Sequence, residues 1–243
     1  MKIIFVADAH LRGIDDPNQE NLTEFLSWLT AEDRRPDKLV LLGDLFDFWT
    51  GNCRVVFDHY RPVLDALLKL KEAGVKIIYL EGNHDFSMGP FFTKDLAAEV
   101  FTSSHEIDIE GQRTFLAHGD ICDDSSGYRI WRWLIRSFFF RALIYILPDK
   151  MIWNIAKKLS GNSRRNPIRS RELERRFKNF ARKKIALGFD NVILAHTHIP
   201  AVKAEVANKK KGTYANPGSF EGSKKYLQYS DGKFRVRTFS KPR

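Results

Sequence analysis

Five short polar motifs, each directly after a predicted strand, constrain the fold of this chain more than any other feature. Apolar runs at residues 2–7, 38–42 and 75–80 are typical of buried strands, and helical periodicity at 21–29 and 55–73 predicts the helices that alternate with them. This alternation indicates an α/β fold with a parallel sheet. The motifs are Asp8-Ala9-His10, Gly43-Asp44-Leu45-Phe46-Asp47, Gly82-Asn83-His84-Asp85, His118-Gly119-Asp120 and His196-Thr197-His198.

The two later motifs also follow predicted strands. A hairpin over 105–109 and 113–117 ends at His118, and a short apolar strand over 191–195 runs into His196. A second hairpin is predicted in the tail, over 226–229 and 234–239. Because loops at the carboxyl ends of strands in an open α/β sheet meet in one crevice, the five motifs are expected to converge.

The converging side chains form a donor set for metal ions. Carboxylates, imidazoles and one carboxamide without thiolates suit Mn, Fe, Co or Zn and disfavour a structural zinc site. One ion takes four to six ligands, so seven donors with a shared carboxylate predict two adjacent divalent ions, for which we expect Mn²⁺. Asp44 is the expected bridge, because its carboxylate has two oxygens. The seven candidate ligands are Asp8, His10, Asp44, Asn83, His118, His196 and His198.

Cysteine content and the first ten residues bear on the compartment. Only Cys53 and Cys122 occur, which excludes a disulfide scaffold and fits a reducing environment. The apolar run before Asp8 is too short for a signal peptide. We therefore expect a cytoplasmic protein.

Charge is distributed unevenly along the chain. The net charge is +10, yet residues 128–188 alone carry 17 Lys and Arg against three acids, which leaves the remainder at −4. Such a basic segment predicts an anionic partner, whether nucleic acid, a membrane surface or a phosphorylated substrate. The alternative is a solvated basic helix.

Residues 128–147 are mostly apolar and as long as a membrane span. Four arginines, Arg129, Arg132, Arg136 and Arg141, make spanning costly. The first three share one helical face opposite bulky apolar residues, which is typical of a helix that lies on an interface or grips a lipid. A packed core helix with its arginines in water is the other interpretation.

Together the five motifs resemble the calcineurin-like metallophosphoesterases over almost the whole chain. The resemblance implies a four-layer αββα sandwich with an inserted helical lid: a core at 1–127 and 189–243, and a basic, aromatic-rich lid at 128–188. It also implies how the seven ligands divide, with Asp44 shared. One ion would be held by Asp8, His10, Asp44 and His198, and the other by Asp44, Asn83, His118 and His196.

The resemblance further implies roles around the ions. Asp47 and Asp85 would orient ligands. A hydroxide bridging the metals would attack phosphorus in line, with Asp44, Asn83 and His84 in the catalytic group. His84 would stabilise developing charge or protonate the leaving oxygen; the alternative for His84 is a structural partnership with Asp85.

A narrower resemblance covers residues 118–128, which are similar to the UDP-2,3-diacylglucosamine pyrophosphohydrolases of lipid A biosynthesis. It implies cleavage of the substrate to 2,3-diacylglucosamine 1-phosphate and UMP, by a monomer at the inner face of the inner membrane. A helical lid at 128–162 would close over two acyl chains. Expected substrate contacts are Asn83, His84, Asp123 or Asp124, Ser163, Asn166, Arg169 and His196.

Two other functions remain open from the sequence. One is a nuclease or phosphodiesterase that binds nucleic acid or nucleotides through the basic segment. The aromatics there lie at helical spacing among Leu and Ile, which favours a lipid slot over a nucleic-acid partner. The other is a non-catalytic scaffold, which the complete ligand set disfavours.

Overall fold

The computed structural model describes residues 1–49, 51, 54–122, 134, 137, 151 and 167–241, with the backbone alone at 54–55 and 167–171. The helices are α1 (Pro17–Trp28), α2 (Arg54–Glu72) and α3 (Pro167–Ala186), with a π-helical turn at Phe91–Asp95 and a 3₁₀ turn at Asp120–Cys122. The strands are β1 (Ile3–Val6), β2 (Lys38–Leu41), β3 (Lys76–Leu80), β4 (Glu99–Phe101), β5 (Ser104–Ile109), β6 (Gln112–Ala117), β7 (Asn191–Leu194), β8 (Ala201–Ala207), β9 (Lys210–Asn216), β10 (Lys225–Ser230) and β11 (Lys233–Thr238).

The first sheet has six strands in the order β11-β10-β1-β2-β3-β4. Strands β1 to β4 are parallel, and β10 and β11 add an antiparallel hairpin beside β1. Ile3 lies opposite Lys38, which in turn lies opposite Lys76, so the three strands begin and end almost level. The parallel core and the tail hairpin are as the sequence predicted, and the loops after β1, β2 and β3 emerge at one edge.

The second sheet has five strands in the order β5-β6-β7-β9-β8. Strands β6, β7 and β9 are parallel, while β5 and β8 form antiparallel hairpins with β6 and β9. Parallel pairing of β6 with β7 brings the loop that carries His118 beside the loop that carries His196, and the Ala195 N–H donates to the His118 carbonyl at 2.7 Å.

The two sheets pack face to face between helices. Along β1, Ile3 and Phe5 are buried between the sheets, whereas Ile4 and Val6 are buried under α1 and α2. Burial on both faces explains the continuous apolar runs. On the far side, α3 packs Phe177 against the outer face of the second sheet. The result is the four-layer αββα sandwich expected from the sequence.

Helix α1 begins at Pro17, four residues before the predicted start. The Asp16 carboxylate accepts a hydrogen bond from the Asn18 N–H at 3.0 Å, and Pro17 occupies the first turn. An Asp cap followed by Pro is a strong start signal, because the cap satisfies a free N–H and Pro has no N–H to lose. Apolar periodicity alone misses it.

Strands β4, β8 and β9 were not predicted. β8 carries Lys203 and Glu205, and β9 begins with Lys210 and Lys211. β8 lies at the edge of the sheet, with Val202, Lys203 and Val206 exposed. Charged side chains on an edge strand prevent pairing with other chains and hide the alternation that marks a strand. The turn between them places Asn208 and Lys209 at φ 49° and 64°, which suits a tight hairpin.

The predicted lid falls largely outside the described residues. Of 123–166, only Leu134, Ser137 and Met151 are described. Helix α3, which the sequence analysis placed in the inserted segment 128–188, forms the outer layer of the second sheet. Within the described residues, no helix is long and apolar enough to cross a membrane.

Candidate metal centre

All five polar motifs meet at one edge of the sandwich. The His10 N–H donates to the Asp44 carbonyl at 3.1 Å, and the His196 N–H donates to Asp8 Oδ2 at 3.0 Å, so the motif loops of both sheets are tied together. Histidine and aspartate ligand atoms lie within 4.8 Å of one another in three groups, which are Asp8, His10 and His198; His10, Asp44 and His84; and Asp44, His118 and His196.

Four lone pairs converge beside His118. Its Nδ1 lies 2.7 Å from the Leu42 carbonyl, which can only accept, so Nδ1 carries the proton. The other nitrogen, Nε2, faces Asp44 Oδ2 at 3.3 Å, Asn83 Oδ1 at 3.2 Å and His196 Nδ1 at 3.0 Å. Such a set is stable only around positive charge, and imidazole, carboxylate and carboxamide donors fit a divalent transition metal.

A second convergence surrounds Asp8. His10 Nδ1 lies 3.1 Å from Asp47 Oδ1, and His10 Nε2 lies 3.3 Å from His198 Nε2. Asp8 Oδ1 lies 3.4 Å from the same His198 nitrogen. This oxygen is fully buried and accepts no hydrogen bond from the described residues. A buried carboxylate oxygen without a donor is costly, and a cation bound there would remove that cost.

Asp44 lies between the two convergences. Its Oδ2 faces His118, and one of its oxygens lies within 4.8 Å of ring nitrogens of His10 and His84. Its Oδ1 accepts hydrogen bonds from the Asn83 and His84 N–H groups, both at 2.9 Å. The carboxylate is thereby fixed between the two groups of candidate ligand atoms.

Asp85 fastens the loop after β2 to the loop after β3. Its carboxylate accepts from the N–H groups of Asp44 and Gly82 at 2.9 Å and of Leu45 at 2.6 Å, and from the Tyr79 hydroxyl. Burial and the Asp44 charge raise the pKa of Asp85 to about 6. Asp85 therefore orients Asp44 through its backbone.

Asp47 plays the corresponding part for His10. One carboxylate oxygen accepts from His10 Nδ1, and the other accepts from Arg12 Nε at 3.1 Å. Arg12 also pairs with Glu221. A carboxylate behind a ligating imidazole fixes its tautomer and its ring orientation.

The pKa values indicate that carboxylates keep two imidazoles of the metal-free site protonated. Burial lowers the pKa of His10 and His118, yet nearby carboxylates outweigh it: the Asp47 hydrogen bond with the Asp44 and Asp8 charges raises the first to about 9, and Asp44 raises the second to about 10. Burial and the neighbouring His118 lower the pKa of His196 to about 4. The pKa of Asp44 is held well below its usual value, against burial, by His118 and His84.

The backbone is strained at five of the candidate ligands. Asp8, His10, Asp44, His196 and His198 have φ between 46° and 65°. This left-handed region costs an L-residue about 1–2 kcal/mol, and such strain clusters at functional sites where the surroundings enforce it. Glycine permits the close approach of neighbouring loops: a Cβ at Gly82 would lie 2.2 Å from Asp44 Oδ1.

His84 lies at the rim of the site, partly exposed. Its Nδ1 lies 3.1 Å from the Asp47 carbonyl oxygen, which can only accept, so Nδ1 carries a proton. The Nε2 atom is therefore the ring nitrogen that this carbonyl does not engage. The ring is perpendicular to that of His10, with centroids 5.1 Å apart.

The described residues include all seven expected ligands together with Asp47, His84 and Asp85, and the fold brings all ten together. Four expected substrate contacts, Asp123, Asp124, Ser163 and Asn166, lie outside the described residues, and of Arg169 only the backbone on α3 is described. Sequence reasoning missed the contributions of Arg12 and Asn216. The sequence Asn216-Pro217-Gly218-Ser219 was a visible signal for Asn216, whereas nothing in the sequence marked Arg12.

Comparison with known proteins agrees with this geometry. Residues 1–200 match the calcineurin-like phosphoesterase family. The chain belongs to that family, and it is accordingly a metal-dependent hydrolase of the phosphoesterase class, as the sequence predicted.

Three relatives from different bacteria, which share one name, match most of the chain. The chain is 27% identical over 248 residues to "UDP-2,3-diacylglucosamine hydrolase" of Aliivibrio fischeri (strain MJ11), covering 95% of each chain. It is 30% identical over 213 residues to the protein of that name from Proteus mirabilis (strain HI4320), covering 83% of this chain and 84% of the relative. Identity to the Escherichia coli (strain K12 / DH10B) protein of that name is 29% over 215 residues, covering 86% and 87%. The resemblance to the UDP-2,3-diacylglucosamine pyrophosphohydrolases is thus confirmed as a similarity over most of the chain.

Proposed function

We propose that this protein hydrolyses the pyrophosphate of UDP-2,3-diacylglucosamine to 2,3-diacylglucosamine 1-phosphate and UMP. The observation that carries the substrate is the match of nearly the whole chain to relatives named for it. The two convergences of lone pairs support a centre with two metal ions, for which Mn²⁺ is our choice.

The ligands divide around Asp44. Asp8, His10, Asp44 and His198 hold one ion, and Asp44, Asn83, His118 and His196 hold the other. Bound at this place, two divalent ions lower the pKa of a water molecule and neutralise charge on the phosphoryl oxygens.

The other side chains of the site assist hydrolysis of the pyrophosphate. Water adds across the P–O–P linkage, so one phosphorus gains an oxygen and the departing phosphate takes the bridging oxygen. The Nδ1 proton of His84 is held by the Asp47 carbonyl, which leaves Nε2 to donate a proton or a hydrogen bond to the departing phosphate. Asp47 and Asp85 hold His10 and Asp44 in place throughout.

The basic segment supplies the lipid specificity. We assign the acyl slot to residues 128–162, whose aromatic face includes Trp131, Trp133 and Phe138. Arginines on the other face attract anionic headgroups at the inner membrane surface. The sugar phosphate is contacted from Asn83, His84, His196, Asp123 or Asp124, Ser163, Asn166 and Arg169.

The direct test is turnover of synthetic UDP-2,3-diacylglucosamine in detergent micelles with Mn²⁺, with UMP and lipid 1-phosphate measured by mass spectrometry. We expect both products in equal amounts from the unsubstituted protein and none from Asp44→Ala. Degradation of single-stranded DNA that depends on Asp44, without lipid turnover, would instead establish a nuclease.

A second test isolates the lid. Replacing residues 128–162 with a Gly-Ser linker is expected to spare hydrolysis of a small chromogenic phosphodiester while abolishing lipid turnover. Loss of both activities in a folded variant would place the segment in the core of the enzyme.

A further inference from the structure

Asn216, the last residue of β9, fastens the loop that carries His196 and His198. It is fully buried, and its Nδ2 donates to the Ala195 carbonyl and to Thr197 Oγ1, both at 3.1 Å. These two acceptors flank His196. Its Oδ1 accepts from the Gly218 N–H at 2.8 Å, which keeps the amide in one orientation.

Three residues later the same stretch fastens the loop after β1. The Ser219 hydroxyl donates to the Asp8 carbonyl at 2.7 Å, and the Glu221 N–H donates to the same oxygen at 3.0 Å. The Phe220 N–H donates to the Ala7 carbonyl at 3.0 Å. We call residues 216–221 the clip.

The clip acts where the backbone is strained. His196 and His198 on one loop and Asp8 on the other have left-handed φ angles, a conformation that is uncommon for any residue other than glycine. The two loops come from different sheets, yet Asp8 Oδ1 and His198 Nε2 approach to 3.4 Å. The clip hydrogen-bonds to both loops at this point, so it bears on their spacing.

We propose that Asn216 and Ser219 are positioning residues, which hold Asp8, His196 and His198 in their ligating conformation before any ion binds. The inference rests on the proposed function only in that the site takes metal, and it is independent of the substrate. Removing partners that orient ligands weakens metal binding about 10–100-fold in other metal sites, and we expect that range for Asn216→Ala.

Asn191 is a matched control. It is also a buried asparagine of the second sheet, and its Nδ2 donates to Gln112 Oε1 at 2.9 Å and to Thr114 Oγ1 at 3.1 Å. It lies at the start of β7, the end of the strand away from the site. Asn191→Ala removes comparable hydrogen bonds, so it reports the effect on stability alone.

The experiment is a Mn²⁺ titration of metal-free protein, with free Mn²⁺ followed by electron paramagnetic resonance and Tm measured in parallel. We expect both asparagine variants to unfold at lower temperature, and only Asn216→Ala to lose Mn²⁺ affinity. Equal Mn²⁺ affinity for the two folded variants would overturn the inference.

Ser219 provides a second, milder test. Ser219→Ala is expected to weaken Mn²⁺ binding, and Ser219→Thr, which keeps the hydroxyl, to restore it. Ser223→Ala is the control, because Ser223 lies just beyond the clip and its hydroxyl donates to the Ser219 carbonyl rather than to either ligand loop. If Ser219→Ala and Ser223→Ala bind Mn²⁺ alike, Ser219 has no positioning role.

These results are separable from the choice of substrate. Weaker Mn²⁺ binding by Asn216→Ala together with no turnover of UDP-2,3-diacylglucosamine by the unsubstituted protein would support the clip and overturn the proposed function. Lipid turnover with unchanged Mn²⁺ affinity in both Asn216→Ala and Ser219→Ala would do the reverse.

Discussion

His84 differs from the other histidines of the site in what its nitrogens can do. Nδ1 donates to a carbonyl oxygen, and the ring is partly exposed, whereas His118 is wholly buried among oxygen and nitrogen atoms. The His84 ring is therefore partly open to solvent, whereas the His118 ring is confined to the cluster. The sequence showed both residues next to strand ends, and the difference became visible only in their hydrogen bonds.

His84→Ala is expected to reduce kcat by about 10²–10⁴ with the fold retained, as loss of an acid catalyst typically does. The check is a series of aryl phosphodiesters. Without His84 the rate should fall more steeply as the leaving phenol becomes more basic, because no proton or hydrogen bond reaches it.

The control is His105→Ala. This histidine lies on β5, where its ring stacks on Phe101 of β4, and its removal should leave the rate unchanged. An identical dependence on the leaving group with and without His84 would remove this residue from the chemistry.

Gly82→Ala tests how closely the loops must approach. The added Cβ would lie 2.2 Å from Asp44 Oδ1, so Asp44 must move. We expect at least a roughly 10-fold loss of Mn²⁺ affinity, measured by titration of the metal-free protein. Gly111→Ala, where no atom lies within 4 Å, should bind Mn²⁺ normally despite its own strained φ. Normal binding by Gly82→Ala would mean that the Asp44 position is not critical.

At the scale of elements, the sequence predicted best where one residue pattern had one physical cause. Strands β1, β2, β3 and β7 are buried on both faces, so their apolar runs were unambiguous. β8 forms the edge of the second sheet and β9 lies next to it; both carry lysine, and no apolar run or alternation marked them. The start of α1 depended on the Asp16 cap, which periodicity does not register.

Helix α3, in the outer layer, contacts the site through Phe177. Phe177 is fully buried against the second sheet, and its ring lies parallel to that of His196, with centroids 6.3 Å apart. Phe177→Ala should reduce the free energy of unfolding by about 3–5 kcal/mol, as measured by denaturant titration. Phe180→Ala, at a partly buried position of the same helix, should cost less. Equal losses would show that α3 packs differently.

For the whole molecule, the sequence predicted that the candidate ligands converge but not how they are held. Each candidate ligand was recognisable because it closely follows a strand, and parallel strands end together. Asn216 and Arg12 act through hydrogen bonds between segments far apart in the chain, so neither apolar periodicity nor a place at the end of a predicted strand assigns them to the site. The substrate contacts expected at 123–124 and 163–166 lie outside the part of the chain that the structure describes, so they remain predictions.

Metal content should set the stability of the whole protein. An ion that binds the folded state alone adds about 2.7 kcal/mol when its concentration is 100 times its Kd. We expect Tm to rise with Mn²⁺ concentration and to fall on chelation, as followed by calorimetry, with Asp8→Asn responding much less. A Tm independent of Mn²⁺ would contradict a metal site formed only in the folded chain.

Because His10 and His198 lie 188 positions apart and belong to different sheets, the cage closes only after the first and last parts of the chain have met. Bringing such remote segments together costs conformational entropy, and this cost arises before metal binding can stabilise the chain. Mn²⁺ should therefore leave the refolding rate of the metal-free chain unchanged and slow its unfolding, a split that stopped-flow chevron plots would display. We therefore expect the ions to bind last, after the chain has folded, and to stabilise the protein kinetically by slowing its unfolding.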